Sequence, residues 1–364
     1  MKRAPLTVRQ LFWTTFLMMF PTIILVLPGD LLRLGGRYAW WTPVTAAAPA
    51  TALNWAVGSL AARRGSLADA LYGAFGPLLG RVPLVAVWAA LGAYTVVITR
   101  EFAQVAFATY VFEDVPISVL TFLGLVVAGL AAWLGLTVIA RGTEVIGPLM
   151  IWVYLLLLAA ALPFSHLVWA LPLLPRNGHF ADLQPLARTW VWLAEPLAAT
   201  LMLDDVDPSA RRATGFVLAG ATASAALLTT IGLWVMVADF GPRRAAEFVL
   251  PFLNLSKEIT FGAFLQHFEV FLIPVALMGG AGKMAIFYWL WSRSGERLTG
   301  AGRSVWLVAG VIALGAISVV AFSSVIALDQ ALYGVLAKLA LPVLAGCICA
   351  AYAASALRRG GEGA

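Results

Sequence analysis

Residues 190–203 read WVWLAEPLAATLML, an apolar run holding one carboxylate, Glu195, followed at once by Pro196. About 20 apolar residues rising 1.5 Å each cross a hydrocarbon core of about 30 Å, so this run belongs to a transmembrane span. An ionisable group inside such a span costs about 3 kcal/mol even on lenient insertion scales, which makes Glu195 a functional candidate by default. Pro196 removes a backbone donor and crowds the preceding turn, so it can open the helix beside the carboxylate. The plainer alternative is a proline kink in which Glu195 pairs with a neighbouring helix.

The remainder of the chain has the same character. Of its 364 residues 62% are hydrophobic and 12% charged, against roughly 25% charged in a soluble domain. Apolar length and turn residues predict spans at about 8–28, 38–61, 82–107, 117–139, 143–163, 186–204, 212–239, 266–292, 303–327 and 331–357. The polar-leaning stretches between them are too short for a soluble domain. The expected fold class is therefore an all-α polytopic membrane protein of about ten transmembrane helices, a single integral membrane domain over residues 1–364. The run beginning near Leu11 lacks the small-residue cleavage site of a signal peptide and is read as a retained helix. Cys347 and Cys349, two residues apart in the last span, are poorly placed for a disulfide with each other.

The net charge of +6 comes from basic residues that flank spans and form no single patch, so it reports topology and points away from nucleic acid. With the N-terminus in the cytoplasm, fourteen basic residues fall inside: Lys2, Arg3, Arg9, Arg63, Arg64, Arg81, Arg141, Arg211, Arg212, Arg293, Arg297, Arg303, Arg358 and Arg359. About eight fall outside, and this bias predicts both termini in the cytoplasm. Residues 66–80 suit a short interfacial helix on that side, and 240–265 a similar cap outside.

Lys283, in ALMGGAGKMAIFYW of the eighth span, is the second buried charge. Gly279, Gly280 and Gly282 before it permit close approach by another helix or a ligand. Its partner is not Glu269, which shares a similar face but lies about 21 Å away along the axis; Lys283 either finds an anion in the bundle or snorkels to the interface. In the third span Arg100 and Glu101 point about 100° apart, whereas Tyr94 and Glu101 share one face. Tyr94 and Glu101 are assigned to the interior, and Arg100, Glu101 and Glu269 are candidates for structural ion pairs. The first span, FPTIILVLPGD, carries Pro21 near its middle and Pro28-Gly29 at its outer end. Breaks in the first and sixth spans suit two five-helix inverted repeats, at about 8–163 and 186–357, with free backbone groups facing a midplane ligand.

Several chemistries find no support. His166, His179 and His267 lie near loops without metal-ligand spacing to cysteine, so no metal or other cofactor is expected. There is no P-loop, no G-x-S-x-G and no metalloprotease helix. Asp204, Asp205 and Asp207, followed by Pro208 and two arginines, read as the cytoplasmic end of a helix. The chain is not expected to be an enzyme.

Several ordered segments carry a resemblance: Gly36-Arg37-Tyr38-Ala39-Trp40, Arg100-Glu101-Phe102, Gly135-Leu136-Thr137-Val138-Ile139-Ala140-Arg141 with Glu144 and Pro148, and LPFLNLSKEITFGAFLQHFE leading to Lys283. In order and spacing the chain resembles the spore germination permease family, the B subunits of germinant receptors within the amino acid–polyamine–organocation superfamily. The resemblance implies a LeuT-like fold with interrupted first and sixth helices, located in the spore inner membrane. It implies a pocket lined by Pro21, Thr22, Tyr94, Ala194, Glu195, Gly279 and Gly282, binding a small germinant such as an amino acid. It further implies partnership with an A-type membrane subunit and a C-type lipoprotein. Lys283 falls where related transporters hold sodium, and Glu195 is an acceptor for the ligand's amino group or a proton site. The chain has Phe20-Pro21-Thr22 and Ala194 where the family carries glycine, which reduces free backbone near the ligand. A proton-coupled amino acid permease and a scaffold with a vestigial pocket remain the alternatives.

Overall fold

The computed structural model describes residues 5–109, 114–171, 173, 183–262, 266–322 and 324–361; Lys2, Arg3, His179 and residues 263–265 of the expected outer cap lie outside them. The described residues are helical almost throughout. The helices are α1 (Val8–Leu25), α2 (Leu27–Gly35), α3 (Trp41–Arg64), α4 (Leu67–Leu79), α5 (Arg81–Ala108), α6 (Ile117–Leu134), α7 (Leu136–Ala161) and α8 (Leu183–Leu193). A 3-10 segment (Glu195–Asp205) leads to α9 (Pro208–Arg211), α10 (Thr214–Ala245), α11 (Pro251–Glu258), α12 (Glu269–Thr299), α13 (Arg303–Ala321) and α14 (Val325–Ala331). A π-helical stretch (Leu332–Ala340) joins α14 to α15 (Leu341–Gly361).

Among the described residues, eight spans are long and apolar enough to cross a membrane: α1, α5, α6, α7 with its extension to Phe164, α10, α12, α13 and Ala327–Ala354. The other two predicted spans fall short for separate reasons. α3 has 24 residues but is rich in alanine, threonine and proline, and the sixth span is divided between α8 and the 3-10 segment. Both are held by protein. Gly58 of α3 lies against Gly215 of α10 so closely that a Cβ on Gly215 would stand 2.2 Å from Ser59 Oγ and 2.8 Å from the Trp55 carbonyl. Small residues let two helices pack backbone to backbone where lipid offers no hydrophobic drive.

The interruptions fall at places that backbone geometry explains. The fourth predicted span ends at Gly135, not near residue 139, because Gly135 adopts φ 105°, ψ 167°, a conformation open to glycine. Residues 136–139 therefore begin α7. The first span stays helical through Pro21 and divides at Val26, five residues later. Proline is tolerated in the first turn of a helix, so Pro28 starts α2 and does not merely end α1. The sixth span opens where expected, at Ala194 (φ −93°, ψ −7°), and Pro196 sits in the first turn of the tighter helix beyond it. The interfacial helix expected at 66–80 forms as α4, capped by the Ser66 hydroxyl, with a kink at Gly76 (φ 81°) before Pro77. Within the outer cap, α11 forms.

Burial separates core from periphery. α1 is buried on nearly every side, and α12 is buried continuously from Lys283 to Ser292. α7 and α13 instead expose large apolar side chains such as Val145, Trp152, Val308 and Ile312 on their outer faces. Such rows fit hydrocarbon as solvent.

Candidate functional site

α1, the sixth segment and α12 meet at three polar side chains. Lys283 Nζ donates to Glu195 Oε2 at 2.9 Å and to Thr22 Oγ1 at 2.5 Å, and Glu195 Oε1 lies at ion-pair distance, 2.8 Å, though out of line for a hydrogen bond. Lys283 and Glu195 are each 1% exposed. The ammonium also stands 4.5 Å from the centre of the Trp192 ring and 5.9 Å from that of Phe287. A lysine ammonium has three protons, and Thr22 with the two Glu195 oxygens surrounds them. No local spacing pairs Glu195 with Lys283, which are 88 positions apart. Glu195 Oε2 thus already accepts from Lys283, while Oε1 is held at ion-pair distance without a hydrogen bond.

The end of α8 is satisfied in the same way. The last carbonyls of a helix have no intrahelical partner. Here the Tyr94 hydroxyl donates to Val191 O at 3.3 Å and Asn54 Nδ2 to Leu193 O at 2.9 Å and Thr222 Oγ1 at 2.8 Å. Tyr94 is 1% exposed and stacks on Phe287 at 5.5 Å. It braces the break from the interior.

A cavity of about 30 Å³ lies between α1, α5 and α12, with Pro21, Thr22, Ile98, Glu101, Gly280 and Lys283 in its wall. Above it opens a vestibule of about 670 Å³. Val26, Glu101 and Val105 line both, so Glu101 stands at the throat. Of the other predicted residues, Gly279 packs against Met150 and Pro21, and Gly282 against Leu17, so these glycines serve helix contact. Ala194 is buried at the join. Of the three ion-pair candidates, Glu269 has an ion-pair contact among the described residues, at 2.9 Å with His267 Nδ1 and not with Lys283. Arg100 and Glu101 do not pair with each other, and neither Glu101 oxygen has a hydrogen-bond partner.

Sequence reading missed a second polar cluster on the vestibule wall. Arg188 Nη1 lies 3.0 Å from Asp30 Oδ2 and 3.1 Å from Asp329 Oδ1, and its guanidinium stacks 3.9 Å over the Tyr333 ring. The Tyr333 hydroxyl and Arg33 also bond Asp30. The cluster ties α2, α8, α14 and the π-helical stretch. Its signal was present: Asp30, Arg188 and Asp329 lie at the corresponding ends of the first, sixth and tenth spans. At the opposite end, Arg297 joins Ser66 at 3.1 Å, Asp69 at 3.2 Å and also Asp204, linking α12, α4 and the 3-10 segment.

Solved structures share this architecture. MhsT, crystallised in complex with L-phenylalanine, superposes with a TM-score of 0.72 at 13% identity, covering 95% of this chain and 89% of MhsT. Mhp1, a nucleobase-cation-symport-1 family transporter in a closed conformation with bromovinylhydantoin bound, gives 0.57 at 13% identity, covering 92% of this chain and 78% of Mhp1. The fold is therefore LeuT-like, that of a polytopic integral membrane protein. No curated protein matches the sequence. The family described as spore germination protein matches residues 5–325, and the chain belongs to that family.

Proposed function

We propose that this protein is a germinant-sensing B-type subunit of a spore germinant receptor, which binds a small solute, an amino acid, and signals through an A-type membrane subunit and a C-type lipoprotein. The observation that carries the reading is the buried Lys283–Glu195–Thr22 link beneath an open vestibule, in a member of the spore germination protein family. Lys283 supplies a fixed cation where related transporters hold sodium near their first and eighth helices, so the site needs no sodium. Solute entering the vestibule shifts an equilibrium between two arrangements of the bundle, and the partner subunits read that shift. Pro21 and Thr22 front the solute, while Tyr94, Ala194, Glu195, Gly279 and Gly282 form the wall behind them. The domain is two five-helix repeats, at 8–163 and 186–357, with both termini in the cytoplasm and the vestibule facing outward from the spore inner membrane.

A proton-coupled amino acid permease is the second reading, favoured by likeness over 95% of the chain to MhsT, which was crystallised with L-phenylalanine. Proteoliposomes carrying the purified protein separate the two when labelled amino acids are offered with an imposed pH gradient and equilibrium binding is measured in parallel. The sensor reading expects saturable binding without sustained uptake. Uptake that persists and follows the gradient overturns it in favour of the permease, and absence of both binding and uptake leaves a scaffold with a vestigial pocket.

A further inference from the structure

Glu101 is the unusual group in this bundle. It is 4% exposed, lies on α5 in the wall of both the small cavity and the vestibule, and among the described residues neither carboxylate oxygen has a hydrogen-bond partner. A buried carboxylate without a partner is costly and calls for a cationic or protonated counterpart. No described cation donates a hydrogen bond to it, although Lys283 shares the small cavity with it and Lys257 lies on the vestibule wall. Lys283, across the small cavity, is committed to Thr22 and Glu195. Arg188 is held between Asp30 and Asp329, and Arg33 is bound to Asp30. Among the described residues, the vestibule therefore has at its floor a buried carboxylate, Glu101, whose oxygens accept no hydrogen bond.

The space around it restricts what can bind. The cavity of about 30 Å³ below the throat is small and has room for a water-sized group. The vestibule of about 670 Å³ above accepts the rest of a small molecule; Phe248, Val249 and Leu332 form apolar parts of a wall that also carries Glu247, Asn254 and Lys257. The backbone at the sixth-span break offers no competing acceptors at Val191 or Leu193, since Tyr94 and Asn54 already use those carbonyls.

We propose that Glu101 is the ammonium-recognition site of this protein: it binds a primary ammonium head at the throat while the body of the solute lies in the vestibule. Glu195, assigned from sequence as the acceptor for that group, acts instead as the anchor of Lys283. The assignment rests on the reading of the vestibule as a solute site.

The test uses the full-length protein in lipid nanodiscs with n-butylammonium chloride as probe, and tetramethylammonium chloride, n-butanol and sodium chloride at matched concentrations as comparators. Saturable binding and thermal stabilisation are expected with n-butylammonium alone, because it offers both the charge and N–H donors on an apolar body. Glu101→Gln should weaken n-butylammonium binding about tenfold or more, the effect of losing a hydrogen bond to a charged group. Glu101→Asp, which keeps the charge, should retain part of the affinity. Unchanged affinity in Glu101→Gln, no saturable response in the wild type, or an equal response to sodium each overturns the assignment, the last in favour of an inorganic cation. Failure of the broader reading looks different: n-butylammonium still binds through Glu101 while amino acids neither bind nor enter. Conversely, amino acid binding indifferent to Glu101→Gln overturns this assignment and leaves that reading intact.

Discussion

Replacing Lys283 with methionine removes the ammonium while keeping an unbranched side chain of similar length. Glu195 then faces the protein interior at 1% exposure with its bonding partner gone, since the described contacts of its carboxylate are those with Lys283 at 2.8 and 2.9 Å. Breaking one side of a buried pair costs on the order of 3–5 kcal/mol, because the surviving charge is left uncompensated. The reverse change, Glu195→Gln, is milder. The ammonium keeps Thr22 and the face of Trp192 at 4.5 Å, and a desolvated cation–π contact alone contributes about 2 kcal/mol; a loss of about 1–2 kcal/mol is expected. The double variant carries neither charge and conserves volume, so it should fall within about 1 kcal/mol of wild type. The two single losses therefore exceed the double loss, giving a coupling energy of about 3 kcal/mol or more. Equilibrium unfolding in mixed micelles, followed by tryptophan fluorescence, reports it directly because Trp192 lies against the ammonium. Wild-type stability in Lys283→Met, or a double variant whose loss equals the sum of the singles, would refute the reasoning.

Gly215→Ala should destabilise by about 1–3 kcal/mol, because its Cβ would meet the Trp55 carbonyl at 2.8 Å and force α3 from α10; Gly142→Ala, with open space around it, is the control and should leave the melting temperature unchanged or slightly raised. Arg188→Met strips Asp30, itself 4% exposed, of its link to α8 and α14, so amide exchange should rise in α2 and α14, and unchanged protection there would contradict the role of this cluster. In a background lacking Cys347 and Cys349, a membrane-impermeant maleimide should label Arg63→Cys from the cytoplasmic side alone and Val249→Cys from the outside alone; the opposite pattern would invert the proposed orientation.

Much of this molecule is written in one dimension. The lengths of the apolar runs and the helix opening at Glu195-Pro196 depend on neighbours close in sequence, so they were legible without coordinates. The break beside Pro21 was misplaced for a local reason too: proline is compatible with a helix start, and Pro28 took that role. Buried charges announced themselves because the membrane makes each one expensive, but their partners did not. Glu195 and Lys283 are 88 positions apart, and Thr22, which also bonds Lys283, lies 261 positions from it. Nothing in local spacing distinguishes that pairing from Lys283 snorkelling outward, or Glu101 from an ion pair with its neighbour Arg100. Pairing is settled where helices from distant parts of the chain converge, and desolvation there selects the side chains that satisfy each other. Sequence alone determined that this protein spans the membrane with acids and a lysine inside it; only the tertiary structure decided that Lys283 closes on Glu195 and leaves Glu101 open.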